Sequence, residues 1–389
     1  MRRALALTLA LTAGSATAQT CGGSASSFID GVIQEAASKG IPQDTAQRFF
    51  QGASIDQSVL RADRAQGVFQ KDFISFSRAL ISQNRIDNGR IYGERFDSTF
   101  DRIEAEFGIP RGVILAFWAF ETDFGQVQGN FNTRNALLTL AHDCRRPELF
   151  RPQLIAAIEL YERGEFDPAN TTGAWAGEIG QVQMLPEDII NHGTDGDGDG
   201  RVDLKGSSPD ALMSGATVLS SLGWRPNEPW LQEIRVPADL DWSLTGLNKK
   251  RSVAEWANLG VSAREGSLGP SNLDAAVLLP VGRDGPAFLA YPNFDVYFEW
   301  NKSLVYVTTA AYFGTRLMGS SVYDAGSPSE ALSGDQIMAL QTKLEARGYD
   351  VGGIDGILGA KTRDAVQAEQ QRLDLPADAW PTLALLNAL

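Results

Sequence analysis

Glu121 is the residue whose setting best suits acid–base chemistry. It closes the apolar run Val113 to Phe120 within FGIPRGVILAFWAFETDFG, residues 107–125. An apolar preceding turn raises a carboxyl pKa and keeps a proton available near neutral pH, as a general acid requires. The same residue would also serve as the polar end of a buried helix, because element ends commonly carry a charge. A second constellation is DGDGDGRVDLKGSSPD, residues 195–210. Asp195, Asp197 and Asp199 fall at the first, third and fifth positions of a calcium loop, Gly200 at the sixth and the Arg201 carbonyl at the seventh. Gly206 stands where such a loop carries glutamate, which leaves Asp203 and Asp210 to complete the oxygen shell. The spacing predicts a structural Ca²⁺; the alternative is a solvated acidic turn. A third stretch, GAWAGEIGQVQMLP (173–186), combines three glycines, a tryptophan and two glutamines. Sugar rings stack on tryptophan and their hydroxyls hydrogen-bond to glutamine, although a plain turn would also use the glycines.

The elements that must position these residues read as helical. Pro110 and Gly112 suit the first turn of a helix through Glu121, and Gly125 suits its end. Residues 26–105 predict a helical lobe, and Phe96, Phe100, Ile103 and Phe107 share one helix face. Arg145 and Arg146 follow the apolar segment Ala136–Ala141. They could hold a substrate carboxylate, or they could be ordinary cations near a helix C-terminus. Phe288 to Trp300 predicts short strands or extended segments, and Ser303 to Tyr312 a helix. Trp300, Asn301 and Tyr306 again offer aromatic and amide groups there. Gly319 to Gly334 is rich in Gly, Ser and Pro and reads as a linker. About 55 residues follow it, two helices flanking a glycine turn and a last short helix.

Composition narrows the function classes. The chain has 389 residues, 43% of them hydrophobic, enough for two or three domains with real cores. Its N-terminus reads as a leader: Arg2 and Arg3, the apolar run Ala4 to Leu11, and Ala16-Thr17-Ala18 as a cleavage site. This predicts an exported chain beginning at Gln19, without a lipid anchor or a later membrane span. The formal charge of −14 argues against nucleic acid and anionic surfaces. Two histidines make a His-rich zinc site improbable, and no G-x-S-x-G elbow surrounds a serine. Cys21 and Cys144 could pair in an oxidising compartment or remain two thiols.

In order and spacing, FGIPRGVILAFWAFETDFG, ALLTLAHDCRRPELF, GAWAGEIGQVQMLP, DGDGDGRVDL, SGATVLSSLGW and EWNKS resemble the lytic murein transglycosylase B family. LQTKLEARGYDVGGIDGILGAKTRDAV resembles the peptidoglycan-binding domain type 1. The resemblance implies a mainly α fold: a lysozyme-like catalytic domain with a helical extension and short strands, and a small three-helix C-terminal domain. The expected organisation is a signal peptide (1–18), a catalytic region (19–318), a linker (319–331) and a peptidoglycan-binding domain (332–389). The catalytic region divides into a helical lobe, about 26–105, and a core, about 106–318. By motif position the family's catalytic acid falls on Glu121 and its saccharide contacts on Arg145, Arg146, Gln183, Asn301 and Tyr306. Its metal loop falls on Asp195, Asp197, Asp199, Arg201 and Asp210. Also implied are peptidoglycan glycan strands as partner, Ca²⁺ without an organic cofactor, and a periplasmic location. The implied reaction is non-hydrolytic cleavage that leaves 1,6-anhydro-muramic ends. The rival readings are a non-catalytic wall-binding protein and a muramidase-type hydrolase using Glu178. The family usually has a small residue and methionine where this chain has Glu178 and Ile179. In the tail, Glu369 replaces a usual aromatic.

Overall fold

The computed structural model describes residues 21–65 and 71–389; the expected leader lies outside them. Helices dominate, and they sort into hydrophobic clusters. The central cluster forms around helix Arg111–Thr122. This helix is apolar on every side, so it must be enclosed. Helices Gln83–Arg95, Asp97–Phe107, Ser208–Ser221 and Leu304–Leu317 pack around it. Gly112 allows the tightest of these approaches, because a Cβ there would lie 2.6 Å from the Gly314 carbonyl oxygen. That close crossing carries Tyr306, two turns up the second helix, toward Glu121.

The expected helical lobe divides between two cores. Helices Ala25–Ser38 and Gln43–Phe49 pack with Thr133–His142 and Pro147–Glu162, burying Phe28, Phe49, Leu137 and Leu154. Residues 73–107 instead cover the central cluster, with Phe73, Phe76, Phe100 and Ile103 pointing inward. Cys21 and Cys144 are joined as a disulfide, with Cα atoms 5.2 Å apart, and Gly22 N–H donates to the His142 carbonyl at 2.8 Å. The alternative of two free thiols is thereby closed.

A five-stranded antiparallel sheet completes the catalytic region, in the order Arg251–Ser252, Asp274–Leu278, Ala287–Ala290, Leu231–Arg235, Ser262–Ala263. One face joins the central cluster through Phe288 and Leu278; the other covers Trp256, Val277 and Leu289. The expectation of extended structure from Phe288 to Trp300 holds only for its start. Pro292–Trp300 is a helix with proline in its first turn. Its Phe294 and Tyr297 are spaced to reach the core together, a helical periodicity that the surrounding aromatics masked.

Residues 319–331 carry no helix or strand, yet they do not hang free. Tyr323 is buried, its hydroxyl 2.9 Å from that of Ser77, and Ser327 N–H donates to the Asp284 carbonyl at 2.8 Å. Helices Gly334–Glu345, Ala360–Arg372 and Leu383–Ala388 then close on Leu340, Leu344 and Val366. This small domain docks on the catalytic region through polar side chains. Arg363 donates to the Pro280 carbonyl at 2.6 Å, and burial pushes its guanidinium down to about 10. The Gln367 amide donates to the carbonyls of Trp242 and Thr245 at 3.0 and 2.9 Å. Glu369 turns inward, buried and paired with Arg372 at 2.7 Å.

Candidate active site

Glu121 sits at the C-terminal end of the central helix, where its apolar wall stops and a cleft of about 410 Å³ opens. Thr122 fixes that end: its hydroxyl donates to the Gln181 carbonyl at 2.5 Å and accepts the Gly125 N–H at 2.9 Å. Asp123 and Phe124 turn the chain away in left-handed conformations. One carboxylate oxygen of Glu121 accepts two hydrogen bonds, from the Tyr306 hydroxyl at 2.6 Å and the Trp300 indole N–H at 3.1 Å. Burial raises the Glu121 pKa above the usual carboxylate value, and the bonds from Tyr306 and then Trp300 pull the other way. Tyr306 itself is pushed well up by burial and by the neighbouring carboxylate, so it stays a donor. Burial and the two donors thus act on the Glu121 carboxyl in opposite directions.

The sequence-derived candidates separate. Gln183 and Asn301 line the cleft with Glu121, as do Trp175 and Trp300. Gln183 adopts a left-handed conformation, and its amide donates to the Gly180 carbonyl at 2.7 Å. Tyr306 is buried and meets Glu121 directly. Arg145 and Arg146 do not line the cleft. Both reach the buried carboxylate of Asp63, Arg145 at 2.5 Å, and tie helix Gln57–Arg64 to the start of Pro147–Glu162. The first loop glutamine, Gln181, is no sugar-facing amide. It is buried, accepts the Trp118 indole N–H at 3.1 Å and the Ser208 hydroxyl at 3.0 Å, and locks the loop to the central helix.

Glu178, the residue that a muramidase-type reading would use, enters the cleft. It is neither an outward solvated residue nor an ion-pair partner of Arg145 or Arg146; it is half-buried and lines the cleft that Glu121 lines. The sequence left Asp188 and Glu299 unmarked, and both line the cleft too. Their only signal was proximity to the glutamine loop and to Trp300. A larger cavity, about 760 Å³, lies between the C-terminal domain and the catalytic region and shares Asn301 with the cleft. Glu121 is not on its walls.

In the acidic loop, ligand atoms of Asp195, Asp197 and Asp210 lie within 4.8 Å of one another. Asp210 is buried, and its two oxygens accept the N–H groups of Gly196 (2.8 Å) and Asp203 (2.7 Å). Asp199 turns instead to the Arg201 N–H at 2.9 Å, and Arg201 is exposed. Converging carboxylates with no basic side chain in the set fit a hard divalent cation.

The description "Transglycosylase SLT domain" matches residues 24–315, and "Putative peptidoglycan binding domain" matches residues 333–389. A crystal structure of SltB3 from Pseudomonas aeruginosa, in complex with NAG-anhNAM-pentapeptide, is 35% identical with a TM-score of 0.86. The match covers 94% of this chain and 99% of that one. Membrane-bound lytic murein transglycosylase B of Escherichia coli is 24% identical over 285 residues, 72% of this chain and 76% of that protein. The Escherichia coli lytic transglycosylase Slt35, solved in complex with calcium, shares the fold at 24% identity and a TM-score of 0.64. It covers 79% of this chain and 98% of its own. With its mainly helical fold and its domain match across three quarters of the sequence, the chain belongs to the transglycosylase SLT domain family and is a peptidoglycan lytic transglycosylase.

Proposed function

We propose that Glu121 alone serves as acid and then base in non-hydrolytic cleavage of the MurNAc–GlcNAc bond. The observation that carries this reading is the Glu121 carboxyl itself, half-buried at a helix end, with its pKa raised and two neutral donors on one oxygen. Its proton passes to the glycosidic oxygen as the bond to the muramic C1 breaks. The resulting carboxylate then takes a proton from the C6 hydroxyl of the same sugar, whose oxygen closes on C1. The proton count balances, no water is consumed, and a 1,6-anhydro end remains. Because the attacking hydroxyl belongs to the substrate, its effective molarity replaces an enzyme nucleophile. Trp175, Gln183 and Asn301 line the walls against which the sugars would lie.

Asp195, Asp197 and Asp210 would hold a structural Ca²⁺, which supplies charge neutralisation to the loop behind the cleft. The tail from 332 onward would hold glycan, residues 319–331 forming a packed connection. The disulfide and the leader-like N-terminus support export to the periplasm.

The test is Glu121→Gln on the full chain, with the products released from purified sacculi identified by mass spectrometry. Wild type should release anhydro-muropeptides, and the variant should lose about 10²-fold or more of that rate while still binding sacculi. A muramidase-type hydrolysis has one observation in its favour, the second carboxyl of Glu178 in the cleft. Reducing-end muramic acid as the main wild-type product would establish that reading and remove ours.

A further inference from the structure

Glu178 is one of three cleft carboxyls, with Asp188 and Glu299, that the reaction above leaves unused. Its backbone is fixed on both sides. Ala174 N–H donates to the Glu178 carbonyl at 2.9 Å, and Ile179 and Met184 pair through bonds of 2.8 and 3.0 Å. Gly177 and Gly180 hold φ of +92° and +80°, values that only glycine adopts without strain. A Cβ on Gly173 would come within 1.9 Å of the Glu178 carbonyl oxygen, so a second strand of backbone braces the turn. The side chain is thus delivered to the cavity by rigid structure.

There, Oε2 of Glu178 is shielded from solvent and has no hydrogen-bond donor among the described residues. A bare carboxylate oxygen in that position is costly, whereas a protonated carboxyl carries no charge to be solvated. The charged groups around it come from four elements. Glu121 faces it from the central helix; Asp188, on Pro186–His192, and Glu299, on Pro292–Trp300, line the same cavity. Arg146, beside the start of Pro147–Glu162, acts as the opposing cation, but its guanidinium is engaged by Asp63. Burial pushes the Glu178 carboxyl up to about 7; Glu121's charge adds to this, and the N–H groups of Glu178 and Ala176 and the charge of Arg146 offset part of it.

We propose that Glu178 is a positioning residue for the proton of Glu121: both carboxyls face one cleft, and a charge on either opposes ionisation of the other. This rests on Glu121 being the catalytic acid. Among the described residues no hydrogen bond joins the two carboxyls, so the coupling runs through their charges across the cleft and no bond is made or broken. Two carboxyls in one poorly solvated cavity lose their protons in two steps that belong to the pair, and the second step sets the alkaline limb of the rate profile. The family's usual small residue at this position lacks that second step.

The experiment is the pH profile of kcat/KM for release of soluble fragments from purified sacculi by the full chain, comparing wild type, Glu178→Gln and Glu178→Ala. Removing the second carboxyl should move the alkaline limb down by about one pH unit, a loss of roughly tenfold on that side, with the acid side little changed. A profile of unchanged shape, scaled or not, overturns the proposal and leaves Glu121 as acid. Absence of anhydro products from wild type overturns the function reading instead. Infrared spectra of the folded wild type and Glu178→Ala give a readout independent of turnover. The titrating protonated-carboxyl band should lose the intensity of one carboxyl in the variant, and the remaining Glu121 band should titrate at lower pH; a band of unchanged intensity and midpoint sinks the idea.

Discussion

A single carboxyl can act as acid and base only if neither protonation state is too stable, and the surroundings of Glu121 set that balance. Burial favours the neutral acid, while the Tyr306 hydroxyl and the Trp300 indole favour the carboxylate. Tyr306→Phe removes the shorter of those two bonds without emptying the space the ring fills. The Glu121 pKa should then rise further, because the lost donor stabilised the charged form. The alkaline limb of kcat/KM should accordingly move to higher pH. At the same time kcat should fall roughly tenfold or more, since a hydrogen bond to a charged group is worth about 1.5–3 kcal/mol. A variant with an unmoved alkaline limb would mean that the tyrosine only packs. This direction is opposite to that expected for Glu178→Gln, so the two substitutions separate a donor to the carboxylate from a neighbouring charge that opposes its ionisation. Glu121 was legible in the sequence as a candidate, because an apolar run ending in one carboxylate has few uses. Its donors lie 179 and 185 residues away in sequence, so only the fold brought them to it.

At the scale of elements, the glycine–glutamine loop and the acidic loop are joined. Gln181 N–H donates to the Leu204 carbonyl at 2.9 Å, and the Gln181 and Gln128 amides both reach the Lys205 carbonyl. A cation among Asp195, Asp197 and Asp210 would therefore stiffen the backbone that carries one wall of the cleft. Removing metal with EDTA should lower the melting temperature, and adding Ca²⁺ should restore it. Mg²⁺ should restore less, since it demands a tighter octahedral shell. If a sample verified as calcium-loaded melts at the same temperature after EDTA, the loop is not a stabilising metal site. The spacing of three aspartates was readable along the chain. That Asp199 turns to Arg201, and that the buried Asp210 completes the convergence, depended on helix Ser208–Ser221 packing behind the loop.

For the whole molecule, the disulfide and the C-terminal domain tie distant parts together. Cys21 and Cys144 close a loop of 123 residues, anchoring the first helix against the lobe built by Thr133–His142 and Pro147–Glu162. Replacing both cysteines by serine should lower stability by about 2–5 kcal/mol in denaturant unfolding, most of it through the larger freedom of the unfolded chain. A change below the error of that measurement would show that lobe packing alone holds the N-terminus. The C-terminal domain is bound as closely: Arg363 and Gln367 spend their donors on carbonyls of the catalytic region, and Trp380 donates to Ser329 at 3.1 Å. The glycine- and serine-rich stretch before it suggested a loose tether. Buried Tyr323 is the reason it is not one, and a lone aromatic in such a segment gives little warning of where it will pack.

Taken alone, the sequence determined the helical class, the enclosed central helix, the carboxyl at its end and the acidic loop, because each follows from local spacing and hydrophobic pattern. The pairing of Cys21 with Cys144, the bonding of Arg145 and Arg146 to Asp63, the inward turn of Gln181 and the entry of Glu178 into the cleft were decided only in three dimensions. In each case the deciding partner is distant in sequence and brought near by packing, and no local pattern records which distant side chain it will be.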